Sequence, residues 1–522
     1  MSGKIIHGKE LAGGETLRAD VCIMGSGCGG ATLAKQLAEA GRDVLVLERG
    51  GYYSEAEFDQ DELNMNSKLY ANRTMKSSTD GGTLLLSGNN VGGASVHYWA
   101  DTYRAPPDRL KHWTERYGLS GHGEAELAPI WDQLDKVLNV HPAPEEYHNR
   151  MNQLLREGSK KLGWQGHPVP QARKGCLKSG HCMQGCLYGA KQSQLVTHIR
   201  QAVALGARVQ ADVEATELVR NGGKVSAVNA RIIDRSTNKP SGKSVRIEAK
   251  QFALSAGGYY SAPFLIGNGF KGSLPALGQH FGNNPTAWVY ALYDEDIVMW
   301  RNIPAAYGVE EFRLPRFDAQ GKYKEGGYLL MANQIQAGTL GGTLPLIGDE
   351  LGEWMSQAKR IGSTIVWLDD YEEELGAIDR NADGSPKVTL PFGPVTQAML
   401  KDSLAKQIDV LFASGARKLA IGSGERIVLE RGKDNSGAMR QIARMNITGG
   451  GLFMAAPHPF GGCRMGRDAK TSVVGMDHRV HGMDNLFVAD PSVFPTGPSV
   501  DPSFTIMAFS VIAAKHINEA LQ

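Results

Sequence analysis

Long apolar stretches are missing from this chain. None of its 522 residues belongs to an unbroken apolar run of the roughly 18 residues that a bilayer-spanning helix needs. The longest candidate, residues 504–514, is interrupted by Thr505 and Ser510 and reads as a buried helix. An excess of one charge is missing too. Lys and Arg number 56 against 55 Asp and Glu, a formal net charge of +1, so nothing electrostatic points to a nucleic-acid partner. There is no block of like charges, no low-complexity tract and no internal repeat, which argues against charged tails and solenoids. Residues 1–20 are polar, without an apolar signal core or a twin arginine. The expected location is therefore cytoplasmic, or periplasmic if a signal-bearing partner subunit carries the chain out. Cysteine is scarce, six residues in all, too few for a disulfide framework at this length.

Glycine, by contrast, is plentiful at 64 residues, and much of it sits in a few loops. With 42% apolar and 21% charged residues, the composition is that of an ordinary globular chain long enough for two to four domains' worth of core. Residues 19–24 read as a buried strand, 31–41 as a helix ending at a glycine and 43–47 as a second buried strand. Between the first strand and the helix lies Gly25-x-Gly27-x-x-Gly30. The first glycine permits a tight turn, the second lets backbone approach a pyrophosphate, and the third lets the helix pack close to the strand. The helix start then offers free N–H groups to the phosphates. Glu48 ends the second strand, 23 residues after Gly25, where an acid accepts bonds from ribose hydroxyls. A bare glycine triplet also occurs in turns that bind nothing; here strand, triplet, helix, strand and acid stand in order. Two further glycine or acid elements, 254–258 and 486–490, favour FAD over the shorter NAD.

Further along, 51–80 is irregular with a helical look at 55–69, and 81–93 is glycine-rich loop. Residues 108–165 are mostly helical, with apolar positions at Leu127, Ile130, Trp131, Leu134, Val137 and Leu138, and 194–205 resumes a helix. Residues 207–256 read as a strand meander turning at 222–223 and 239–242. Strands at 327–331 and 363–368 alternate with a helix at 395–412, and a last helix covers 502–521. Asp379-x-Asn381-x-Asp383-Gly384 looks like a calcium loop, but its twelfth position is Leu390, so it reads as a hairpin turn.

Taken in order, these motifs resemble the glucose–methanol–choline (GMC) oxidoreductase family over nearly the whole chain. They are Gly25-x-Gly27-x-x-Gly30, Glu48-Arg49-Gly50, the stretch 90–97, Ala256-Gly257-Gly258, the stretch 458–466 and 485–490 through Pro495-Thr496. The resemblance implies FAD, held covalently or not, and oxidation of an alcohol. It assigns Gly25, Gly27, Gly30 and Glu48 to the ADP half, Val209 to the adenine side, and Gly92, Gly93 and Ser95 to the loop under the flavin. Ala256 would be a further FAD contact, Asp490 would meet the ribityl–phosphate region, and His458 would be the catalytic histidine. A neutral imidazole suits removal of the hydroxyl proton near pH 7. A second polar residue, usually Asn or His in the family, falls on Asp501. As an anion it would raise the proton affinity of His458, as an acid it would mimic Asn, or it would orient the imidazole. His97 is either a point of covalent flavin attachment or a packing residue.

Cys176-x5-Cys182-x3-Cys186 and the flanking 187–191 resemble the cluster segment of bacterial FAD-dependent sugar dehydrogenases, which carry a three-iron, four-sulfur (3Fe-4S) cluster on three cysteines; long-chain alcohol oxidases have a related segment at other spacing. A zinc site with His181, a disulfide and inert thiols are the alternatives.

The expected fold is α/β. A Rossmann-like FAD-binding domain is assembled from 1–110, 195–284 and 456–522, a sheet-and-helix substrate domain spans 285–455, and 111–194 forms a helical excursion with the cysteine loop. The expected activity is oxidation of a CH–OH group of an alcohol or sugar. Electrons would leave to an external acceptor, a cytochrome c or quinone, with a small subunit as a candidate partner. The alternatives are an oxygen-using alcohol oxidase without a cluster and a non-catalytic flavoprotein.

Overall fold

The computed structural model describes residues 3–74 and 76–522. Its first sheet grows from the predicted strand–helix–strand unit. Thr16–Met24 and Val44–Glu48 pair in parallel, and their inner residues Val21, Ile23, Val44 and Val46 are sealed from solvent. Burying an aliphatic side chain of this size contributes about 1.5–3 kcal/mol. The helix Cys28–Glu39 lays Ala31, Ala34, Leu37 and Ala38 on this layer, and the C-terminal helix Ser503–Glu519 packs against it. Arg208–Ala211 and then Lys4–His7 extend the parallel sheet on one side. On the other side comes the long strand Lys239–Leu254. Its far edge is shared, with Lys224–Asp234 antiparallel along one half and Leu486–Val488 parallel along the other. Every parallel strand of this sheet thus ends near one rim, where an α/β sheet collects ligands.

The second sheet has seven strands, all paired antiparallel: Val428–Glu430, Lys418–Ile421, Trp288–Leu292, Ile361–Leu368, Tyr328–Ala332, Tyr307–Val309 and Gly166–Pro168. The helices Pro394–Ala413 and Arg150–Lys161 pack on it and on each other. Trp288 lies opposite Ile365, so Trp288 and Tyr290 share one face with Ile365 and Trp367, as a two-residue side-chain period requires. That face lines the main cavity.

Three sequence expectations shift. The turn placed at 239–242 lies instead at 235–238, because Asp234 accepts from the Ser236 N–H (2.9 Å) and Asn238 takes a left-handed φ of 56°. Arg208–Ala211 is a parallel core strand and not the first arm of the meander. The excursion is also less separate than expected, since Gly166–Pro168 forms the edge of the second sheet. Asp379–Gly384 does form a hairpin turn, between Gly376–Arg380 and Pro386–Thr389.

Candidate active site

One elongated cavity of about 810 Å³ runs between the two sheets. Its outer half is lined by Gly25–Gly29, Glu48, Arg49, Ser87–Asn89, Val213–Thr216, Ala256 and Asp490. Its inner half is lined by Trp99, Trp288, Tyr290, Ile365, Trp367, His458 and Asp501.

The glycines of the outer half have distinct geometric roles. A Cβ on Gly30 would sit 1.9 Å from the Gly25 carbonyl oxygen, so only glycine lets the helix start against the turn. A Cβ on Gly27 would instead point into open space, its nearest neighbour being Gly93 Cα at 3.9 Å. A Cβ on Gly93 would in turn sit 2.7 Å from Gly27 Cα, so the two glycine loops pack backbone against backbone at the cavity wall. Glu48 closes the end of this cradle. It accepts from Ser26 N (3.1 Å), Ser26 Oγ (2.7 Å) and Gly50 N (2.8 Å), while burial pushes its pKa up. Asp490 accepts from Gly257 N (3.0 Å), Ser492 N (2.9 Å) and the Ser261 hydroxyl, and burial raises its pKa as well. Gly92 donates to Ser26 Oγ (3.0 Å), and Ser95 Oγ fixes the loop by donating to the Gly92 carbonyl (2.7 Å). This bare-backbone cradle between two acids fits a flavin dinucleotide.

Val209 is not brought to the cavity. It is fully buried inside the first sheet, paired with Ile5 on one side and Val46 on the other. Val213, just past the end of its strand, takes the place beside the cavity. His97 does line the cavity; it stacks on Tyr70 at 3.9 Å, and its Nε2 is buried without a partner. Burial, aided by the Lys191 charge, holds its pKa down to about 3, so the ring is neutral.

At the inner end His458 Nε2 stands 3.2 Å from Asp501 Oδ1. Nδ1 of His458 and Oδ2 of Asp501 are buried and unpartnered, and both residues line the cavity. Trp367 packs on the imidazole with ring centres 5.0 Å apart, and Trp99 packs on Trp367 at 5.6 Å. An alcohol seated against Nε2 can give up its hydroxyl proton there, with Oδ1 close enough to stabilise the imidazolium that forms.

The cysteine loop holds three thiols on one short segment. Cys176, Cys182 and Cys186 are free thiols, and no group of three or more metal-binding side chains occurs among the described residues. Each sulfur is engaged locally: Cys176 with Lys178 N (3.4 Å), Cys186 with Lys191 N (3.5 Å), Cys182 with Arg173 Nη1 (3.4 Å). Among the described residues the structure thus shows neither a 3Fe-4S cluster site nor a zinc site with His181. Its neighbour Lys191 is fully buried, and its Nζ donates to Val96 O (2.6 Å), Tyr98 O (2.9 Å) and Cys182 O (2.6 Å). Burial brings its pKa down to about 8. This lysine ties the cysteine loop to the loop beneath the flavin cradle, a link that no spacing in the sequence announces. Asp101 was likewise outside the sequence-level site, whereas Trp288, Tyr290 and Trp367 belong to the Trp and Tyr set of 288–371 that the sequence offers as lining of a sugar site, though more often as core, and they do line the cavity.

A cradle for a dinucleotide opening onto an imidazole–carboxyl pair defines a flavin oxidoreductase. The chain belongs to the GMC oxidoreductase family: family models described as GMC oxidoreductase match residues 66–286 and 381–510. It is 24% identical to a long-chain-alcohol oxidase of Arabidopsis thaliana, over 97% of this chain and 68% of that one. It is also 24% identical to the fructose dehydrogenase large subunit of Gluconobacter japonicus, over 96% of this chain and 98% of that one. The fold matches the crystal structure of pyridoxine 4-oxidase from Mesorbium loti with a TM-score of 0.69 at 16% identity, covering 95% and 98% of the two chains.

Proposed function

We propose that this protein is an FAD-dependent dehydrogenase that oxidises the CH–OH group of an uncharged alcohol or sugar to the carbonyl. The carrying observation is the pair His458 Nε2 and Asp501 Oδ1, 3.2 Å apart where the glycine cradle meets the aromatic chamber. Bound FAD would supply the acceptor for the hydride leaving the carbinol carbon. Gly25, Gly27, Gly93, Glu48 and Asp490 hold and orient it. His458 Nε2 takes the hydroxyl proton, and Asp501 steadies the charged ring. Trp99, Trp288, Ile365 and Trp367 keep water from the reacting atoms and give the substrate body an apolar seat. The carboxyl beside His458 is Asp501, and an acid there favours an uncharged substrate over an anionic one.

An external acceptor, cytochrome c or quinone, is favoured over oxygen because the sequence alignment spans 98% of a dehydrogenase large subunit against 68% of a long-chain-alcohol oxidase. By the same reasoning a small subunit is the candidate partner, and the location is the cytoplasm or, with such a partner carrying a signal, the periplasm. No electron step is assigned to the cysteine loop.

The test is His458→Ala. Flavin content should stay, while reduction of bound flavin by alcohol without air should slow by about 10²–10⁴-fold, the usual worth of a positioned base. Unchanged reduction would make this a flavoprotein without catalysis at this site. Peroxide formed one for one with oxidised alcohol in air would replace the dehydrogenase by an oxidase.

A further inference from the structure

We infer that one face of the second sheet, from Trp367 through Trp288 to Tyr290, selects an alcohol with a hydrocarbon body, and that Tyr290 sets the length of body accepted. The inference deepens the proposed reaction and rests on the reading of His458 as its base.

The face follows from strand register. Trp288–Leu292 and Ile361–Leu368 run antiparallel, with Trp288 opposite Ile365 and Tyr290 opposite Ser363. Side chains alternate along a strand, so Trp288, Tyr290, Ile365 and Trp367 share one side, and all four line the cavity. Trp367 marks the end beside the base. Its ring centre is 5.0 Å from that of His458, and Trp99 packs on it at 5.6 Å. Ile365 and Trp288 stand two residues further along, and Tyr290 two beyond those. At the rise of a β-strand, those four residues put Tyr290 about 13 Å from the level of Trp367. The base thus stands at one end of an aromatic lane of that length.

Polar groups along the lane are already bonded within the protein. Thr286 donates its hydroxyl to Ala455 O (3.0 Å), Asn333 Nδ2 donates to Ser363 Oγ (3.1 Å), and Gln336 Nε2 donates to Gly180 O (2.8 Å). At the far end Thr343, on the helix Ala337–Thr343, donates to Thr339 O (2.7 Å). Its single proton is thereby used, so Tyr290 is the donor in the 2.6 Å bond between Tyr290 Oη and Thr343 Oγ1. That bond ties the Tyr290 ring to the helix and fixes it as the end wall. Two buried atoms of the cavity lining are left without partners, Trp288 Nε1 and Gln184 Oε1.

A sugar carries a hydroxyl on nearly every carbon. Seated with one CH–OH at His458, it would bring several more against indole and aliphatic surface. Each hydroxyl buried without a partner costs about ten- to a hundredfold in binding. A hydrocarbon body has nothing to leave unpaired, and each CH2 group it lays on the lane gains about fourfold.

Reduction of bound flavin without air tests this, over a series of straight-chain primary alcohols and over glucose and fructose. kcat/KM should rise about fourfold per added CH2 group and level off once the chain reaches Tyr290. The best alkanol should exceed either sugar by about 10²-fold or more. Tyr290→Ala should carry the rise to longer chains, while Tyr290→Phe, which keeps the ring, should leave the break at the wild-type length. Tyr290→Leu stands in if the Ala variant does not fold, with a smaller shift of the break. A sugar as good as the best alkanol, a flat dependence on chain length, or an unmoved break in the smaller variants would overturn the assignment. Binding to flavin-loaded His458→Ala needs no turnover: octanol should shift the flavin spectrum at a concentration where glucose does not. If that shift appears but no alcohol reduces the wild-type flavin, the dehydrogenase reading falls and the lane stands.

Discussion

An acid desolvated without an adjacent cation makes stability depend on pH. Asp370 is the clearest. Its carboxyl accepts from Asn284 N (2.7 Å) and Asn283 N (3.4 Å), but burial outweighs those bonds and pushes its pKa up to about 7. An unfolded Asp titrates near 3.9. A group raised in this way contributes stability that is intact below about pH 4 and is lost as pH climbs through about 7. His122, held down to about 4 by burial, works in the opposite direction: its contribution is intact above about pH 6.5 and fades on acidification. Wild-type melting alone mixes the two. Subtracting Asp370→Asn removes His122 from the comparison. The stability of wild type relative to the variant should fall by a few kcal/mol between about pH 4 and 7 and level off above. Thermal melts in a pH series would show it; a constant offset at every pH would remove Asp370 titration from the account. Glu48 gives a second test. Glu48→Ala frees Ser26 N, Ser26 Oγ and Gly50 N at once, so the purified protein should carry less flavin per chain, measured by absorbance.

At the scale of elements, the glycine turn separates fold from cofactor. In Gly30→Ala the new methyl meets the Gly25 carbonyl, and the helix Cys28–Glu39 must move off the sheet. A loss of about 1–3 kcal/mol, together with lost flavin, is expected from denaturant titration and absorbance. In Gly27→Ala the methyl enters the cradle instead. Stability of the flavin-free protein should hold while flavin affinity falls, and equal destabilisation by the two variants would contradict the geometry. These glycines were legible in the sequence because the constraint is local: a turn, a helix start and an acid lie within one strand–helix–strand unit. His458, Asp501, Glu48 and Asp490 were legible by resemblance, as they sit in motifs. Asp101 and Arg173 were not, since they come to the cavity and its surround from outside any motif. Val209 misled because it lies in the right strand, four residues before the position that reaches the cavity. The strand Gly166–Pro168 was hidden by its length; three residues carry no periodicity.

For the molecule as a whole, the question is what holds two separately cored halves around one cavity. Arg109, on the helix Pro107–Tyr117, is the clearest single fastener. Its guanidinium pairs with Asp369, at the end of the second sheet's strand Ile361–Leu368. It also donates to Ser499 Oγ (2.9 Å) and Thr496 Oγ1 (3.2 Å), in the loop that delivers Asp501. Ser499 closes the triangle by donating to Asp369 Oδ2 at 2.6 Å. Asp369 is 6% exposed, and burial raises its pKa against the pull of Arg109. Removing the arginine alone strands a buried carboxylate, which costs about 3–5 kcal/mol. Arg109→Met should therefore lower stability by about that much and lower kcat as well, because the Asp501 loop loses its tether. Adding Asp369→Asn removes the stranded charge, so the double variant should regain stability in denaturant titration. Its kcat should stay low, since Ser499 and Thr496 still lack their donor. If kcat returned with stability, Arg109 would serve only to neutralise Asp369. If neither returned, the two halves would be joined by the geometry of the fork and not by its charge.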